Sequence, residues 1–150
     1  MVTGETVAKH NGYRAGAALM AAAVAVGVAA VGAGTADAAP PSAFLGSWDG
    51  HGRQVVLAKN GSATVSLASG AANVEKWTAK WGPAEGRVDL SFVKRTAQHG
   101  DTAGFGVAPG KHWLGRLVTV QGYTVLEFNP GLPGIYWCRP DAGRAGVCGA

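Results

Sequence analysis

The sequence predicts an all-β domain, an antiparallel meander of about eight strands closing into a small barrel, preceded by a cleaved signal peptide. Three observations predict it. After Pro41 no apolar pattern repeats at 3.6 residues, while apolar and polar residues alternate with period two along most of the chain. Gly, Pro and Asn-Gly punctuation separates the alternating runs at short intervals, which suits an up-and-down barrel or a rolled sheet better than a Greek-key sandwich with longer crossings. The one long uncharged run stands at the N-terminus, directly before a cleavage pattern.

Lys9, His10 and Arg14 precede residues 15–34, which contain no charged side chain. A basic n-region feeding an apolar h-region, followed by Ala36-Asp37-Ala38, is the pattern of a secretory signal, so residues 1–38 are expected to be removed before Ala39. About twenty uncharged residues can also span a bilayer. This run, however, is mostly Ala, Gly and Val, which holds poorly in lipid. There is no twin-arginine pair and no Cys near the cut to take a lipid. The expected location is therefore extracellular or cell-envelope, without a membrane anchor after cleavage.

Residues 39–150 then make a single secreted domain of about 110 residues, enough for one core but with much surface for its volume. Cys138 and Cys148 are its only cysteines, and an even count in an exported chain argues for a disulfide. Metal ligation is the sharper alternative, but no His lies near the two thiols. Thirteen Lys and Arg against nine Asp and Glu give a net charge of +4. The basic residues are scattered, which fits solvated strand faces and attraction to anionic envelope polymers. They lack the stripe interleaved with exposed aromatics that would indicate nucleic acid.

The strands follow in order. Phe44-Leu45-Gly46-Ser47-Trp48-Asp49-Gly50 opens the barrel with a large apolar ring. Residues 53–59 and 62–67 form a hairpin across Asn60-Gly61, a pair that suits a type I′ turn. In the next strand Trp77, Ala79 and Trp81 share one face and Lys76, Thr78 and Lys80 the other, and Gly82-Pro83 ends it because proline gives no N–H to a ladder. Residues 87–96 follow with Val88, Leu90 and Phe92 inward. Residues 97–112, with Gly100, Gly104, Gly106, Gly110 and Pro109, form a loop of about sixteen residues, a length that is often functional. Strands resume at 113–121 and 123–129 around Gly122, a rigid turn spans 130–134, and 135–138 is the last strand. The tail after Cys138 is too rich in Gly and Pro to order itself unless Cys148 pins it.

At Gly46-Ser47-Trp48 the chain resembles the opening of lipocalins and related calycin barrels, whose first strand carries Gly-x-Trp. The resemblance implies that Trp48 closes the barrel base beneath a basic side chain that follows the last strand, and Arg139 is the position that matches. The late Asp-containing turn and C-terminal helix of lipocalins are missing. The Ala-rich signal, the Phe44-x-Gly46-x-Trp48 start, the early Asn-Gly hairpin and the terminal Cys148-Gly149-Ala150 also look like a group of small exported proteins of mycobacteria and related actinobacteria. That second resemblance implies a location and no activity.

Five tryptophans in so small a domain either fill a core or line a ligand site, each covering roughly 150–250 Å². The residues that would line such a site are Trp48, Trp77, Trp81, Phe92, Trp113 and Phe128. Asp49 and His51 share a strand face near Ser47, but no constrained nucleophile turn or oxyanion hole accompanies them, so no catalytic residue is assigned. His99, Asp101 and His112 match no metal-site spacing, and neither metal nor cofactor is expected. The expected function is a monomeric, non-enzymatic barrel that binds a small apolar or amphipathic ligand, or a cell-envelope component. The alternative is a protein-interaction module, an inhibitor or adhesin-like protein, displaying Cys138-Arg139-Pro140-Asp141 and Arg144 on a packed barrel. An open cavity favours the first; an interior filled by Trp48, Trp77 and Phe92 leaves the second.

Overall fold

The computed structural model describes residues 38–128 and 135–149. The expected signal segment, apart from Ala38, and the 130–134 turn lie outside the described residues. Eight strands, β1 (Gly46–Gly50), β2 (Arg53–Leu57), β3 (Ser62–Ser69), β4 (Asn73–Ala84), β5 (Arg87–His99), β6 (His112–Val120), β7 (Tyr123–Phe128) and β8 (Tyr136–Cys138), pair antiparallel in chain order. β8 returns to β1 and closes the barrel. Alternation works as expected along β3, where Ala63, Val65 and Leu67 are buried, and along β5, where Val88, Leu90 and Phe92 are buried. The opposite face carries exposed Lys76, Thr78 and Lys80. Among the described residues no helix is long and apolar enough to cross a membrane.

Two of the strand connections differ from the expectation. Asn60-Gly61 does not make a two-residue turn: Gly61 N–H donates to the Ala58 carbonyl, and only Gly61, at φ 79°, enters the left-handed region. That is a longer turn with glycine at its bulge, and the Asn60 side chain instead accepts hydrogen bonds from the Ser62 backbone N–H and hydroxyl. The two-residue turns with two positive φ angles are Glu85-Gly86 and Gln121-Gly122. There glycine at the second position suffices, and a Glu or Gln is forced to follow at the first. Nor does Pro83 end β4, which runs on to Ala84. β3 has already turned away at Gly61, so Pro83 faces no strand that would need its N–H.

The long segment is shorter than expected, because β5 continues to His99 and the loop occupies 100–111. Two register shifts, between Lys76 and Trp77 and between Thr78 and Ala79, bend β5 away from β6, so its second half pairs with β4 alone. Ala103–Phe105 forms a short 3₁₀ turn within the loop. The last strand begins at Tyr136, with Ile135 outside it.

The base is built where the chain enters and leaves. A 3₁₀ turn, Pro41–Phe44, brings the Phe44 carbonyl to accept a 2.7 Å hydrogen bond from Trp48 Nε1. Trp48 is fully buried. The Arg139 guanidinium lies 4.2 Å from the centre of the Trp48 ring and donates to the Ala43 and Leu45 carbonyls at 2.9 and 3.0 Å. The pairing expected of these two residues is thus present, and it lays one side chain of the interaction-module display, half-buried, against the base.

The tail is more ordered than its composition implies. A helical turn α1 (Pro140–Arg144) starts at proline, whose fixed φ suits a first helical position. The disulfide Cys138–Cys148 brings the chain back. Together with Ala142 and Val125 the two cysteines form a second small core, flanked by Val118, Val120, Tyr123, Tyr136 and Val147. Consequently Val125, Leu126, Glu127 and Phe128 are all buried, because β7 is covered inside by the barrel core and outside by the tail.

Two outcomes follow for stability. Arg139→Ala should lower the unfolding free energy in urea by about 2–4 kcal/mol, since it removes a ring contact and two charge-assisted hydrogen bonds, and Arg139→Lys should recover only part of this. Cys148→Ser should cost about 2–3 kcal/mol. Hydrogen exchange in that variant should accelerate at β7 and β8 while protection of β2–β5 persists.

Candidate functional site

At the opposite end of the barrel the described residues leave a concavity. A pocket of about 280 Å³ lies there, lined by the β1–β2 turn (His51, Gly52), Arg53, Leu67 and Ala68 of β3, Gly104 and Phe105 of the long loop, and Trp113, Phe128, Ile135 and Trp137. The loop reaches over the mouth and is anchored rather than loose. Asn73 Oδ1 accepts from the Asp101 N–H, Asp101 Oδ1 accepts from the Ala103 N–H, and the Phe92 backbone exchanges hydrogen bonds with Gly110 and Lys111. Phe105 and Val107 pack onto the main core.

The apolar wall of the pocket belongs to a chain of rings crossing the interior from β4 to β8. Trp77 meets Phe92 at 5.8 Å, Phe92 meets Trp113 at 4.7 Å, and Trp113, Phe128 and Trp137 lie mutually within 5.5–6.1 Å, mostly edge to face. Such pairs contribute about 0.5–1.5 kcal/mol each beyond burial. Gly115 makes room for the chain. A Cβ there would come within 2.8 Å of the Phe128 ring and of Val88.

The six expected site residues therefore separate. Trp113 and Phe128 line the pocket. Phe92 and Trp77 stand behind them in the ring chain, Trp48 is sealed into the base, and Trp81, half-buried, donates its Nε1–H to the Ala58 carbonyl at 2.7 Å. Sequence reasoning missed Trp137, Phe105, Leu67 and Arg53. The signal for Arg53 was present, since Arg53, Val55 and Leu57 fall on one strand face. Glu75 likewise shares its face with Trp77 and Ala79, and it is 1% exposed.

Two inward cations are treated differently. Arg95, placed opposite Trp77 by the β5 register shifts, lies over that ring at 5.6 Å and pairs with Glu75 at 3.7 Å. Arg53 lies 5.6 Å from the Trp137 ring and donates to the Tyr136 carbonyl at 2.9 Å and to the His51 carbonyl at 3.4 Å. Burial pushes its guanidinium pKa below the ordinary value, though not far enough to remove the charge. Its Nε, like Glu75 Oε1 and Trp77 Nε1, is buried without a hydrogen-bond partner among the described residues.

The Asp49 carboxylate accepts from Ser47 Oγ at 3.0 Å and Gln54 Nε2 at 2.7 Å. His112 Nδ1 sits 2.9 Å from Asp89 on the outer surface. Among the described residues no three His, Cys, Asp or Glu side chains converge as a metal site would need. The molecule is thus an eight-stranded meander barrel with, among the described residues, a packed base, a buried aromatic cluster and a pocket at the opposite end. The chain matches no family model, no curated protein and no solved structure.

The Glu75–Arg95 pair should respond asymmetrically. Arg95→Ala leaves a buried carboxylate without its cation and should destabilise by about 1–3 kcal/mol, reduced from the fully buried case because Arg95 is 44% exposed. Glu75→Gln should cost less than about 1 kcal/mol, and adding it to Arg95→Ala should restore stability in thermal unfolding.

Proposed function

We propose that this chain is an exported, monomeric, calycin-like barrel that binds a small apolar or amphipathic ligand, or part of a cell-envelope component, at its open end. The observation that carries this reading is the 280 Å³ pocket walled by Trp113, Phe128, Trp137, Phe105 and Leu67. An apolar concavity with a few polar groups converging on it is the usual form of a small-molecule site, and at about 280 Å³ this one lies just below the ~300–1,000 Å³ range. The size favours a single ring system or a short acyl chain over a long lipid. Export is supported by the N-terminal signal pattern and by the Cys138–Cys148 disulfide, a bond that persists in oxidising compartments. The calycin likeness rests on Gly46-x-Trp48 with Arg139 over the ring, and the likeness to small exported actinobacterial proteins bears on location alone. The interaction-module reading keeps exposed Pro140, Asp141 and Arg144, while Arg139 is half-buried against Trp48 and Cys138 is buried; the pocket favours the ligand-binding reading over it.

Tryptophan emission tests the proposal, since Trp113 and Trp137 line the pocket. Titration with short-chain fatty acids, mycolate-like lipids and envelope glycans should change the emission for the short amphipathic members. An unchanged spectrum across the panel removes the main support. Leu67→Trp, which places a bulky indole in the mouth, should weaken binding by at least about tenfold, whereas Trp48→Phe at the base should leave it unaltered.

A further inference from the structure

We infer that the ligand of this pocket is a small organic monoanion whose acidic head meets the Arg53 guanidinium while its apolar body lies against Trp113, Phe128 and Trp137. The inference rests on the ligand-binding reading above and adds a charge and an orientation to it. Arg53 stands at the start of β2, directly after the turn at the open end, and its side chain lines the pocket. Among the described residues no acidic side chain does so. None of the ion pairs among the described residues includes it, whereas Arg95 is paired with Glu75 and Arg116 with Glu127.

A guanidinium offers five N–H donors in a planar fork. At Arg53 the described acceptors are two backbone carbonyls, one of them at 3.4 Å, and Nε has none. Gly50 is part of the same arrangement, because a Cβ there would fall 2.6 Å from Arg53 Nε. The missing side chain lets the guanidinium lie inside the barrel between Gly50 and the Trp137 ring. An unpaired cation beside apolar walls is costly, and the Trp137 face offsets only part of that cost. A carboxylate or sulfonate entering the mouth would supply the counter-charge and acceptors, in surroundings of low dielectric where such bonds are strong.

Matched probes test this in the oxidised, unmodified protein. Octanoate is compared with octanol, and 8-anilinonaphthalene-1-sulfonate with N-phenyl-1-naphthylamine, each pair sharing a body and differing in the anionic head. The expected result is tighter binding of the anion by roughly ten- to a hundredfold in at least one pair, the scale of a charge-assisted hydrogen bond. Preference in the first pair alone assigns a carboxylate head, and in the second alone a sulfonate-type head. Equal affinity within both pairs overturns the inference and leaves the ligand-binding reading standing. Binding of no probe overturns both. Arg53→Gln should abolish the preference while the neutral probes still bind. Because Arg53 also holds β8, Arg53→Lys is the companion variant, and it should keep the sign of the preference. A preference unchanged in Arg53→Gln assigns the anion elsewhere and overturns the inference.

Discussion

Closure between β1 and β8 is the constraint on which the molecule depends, and backbone pairing alone does not supply it. β8 is three residues long, and its ladder to β1 consists of one residue pair, Asp49 with Cys138. The rest is done by side chains. At the base, Arg139 passes from the end of β8 over the Trp48 ring of β1 and ties down the Ala43 and Leu45 carbonyls. Toward the mouth, Arg53 holds the Tyr136 carbonyl and lies against Trp137. Outside, the disulfide and α1 cover β7 and β8. A barrel abolishes exposed sheet edges only if it closes. Here two arginines bridge to the seam, and the disulfide-pinned tail covers the outside of β7 and β8.

The same logic explains how charged residues come to lie against so small a core. Trp48, Trp77 and Trp137 are each buried, and each carries an arginine, Arg139, Arg95 and Arg53 respectively. A guanidinium is planar and weakly hydrated, so it loses less than an ammonium when laid on an indole face. These arginines differ in what completes them. Arg139 finds two carbonyls and Arg95 finds Glu75, but Arg53 has two carbonyls of unequal quality and a bare Nε.

Strand count, meander order and most inward residues were legible in the sequence because period two is a local signal that every hairpin obeys. The Trp48–Arg139 contact was legible only through resemblance, since the two residues stand at opposite ends of the domain. What failed was geometry set by neighbours. Asn60-Gly61 carries the type I′ signature yet takes another turn, while Glu85-Gly86 and Gln121-Gly122 take it because flanking strands dictate the register. Strict alternation from Val88, Leu90 and Phe92 would put residues 94 and 96 inside, and the register shifts put Arg95 opposite Trp77 instead. Of the six ring residues expected at a site, Trp113 and Phe128 reach the pocket. Inwardness can be read from alternation, but height along the barrel depends on strand tilt and loop closure.

The distribution of unsatisfied groups then distinguishes the two ends. Buried polar atoms in native structures are rarely without partners, and each such atom costs roughly 1–3 kcal/mol. Among the described residues these are Arg53 Nε, Glu75 Oε1 and Trp77 Nε1. Arg53 begins β2 at the open end, Glu75 lies near the start of β4 at that end, and Trp77 is its next inward neighbour. At the base, by contrast, Trp48 Nε1 is satisfied by Phe44 and Arg139 has its carbonyls. A core selected for stability alone would have replaced these groups with apolar ones, which in buried ion pairs is often neutral or stabilising. Their concentration toward the mouth sets that end of the barrel apart from the base, where every polar group named above has its partner.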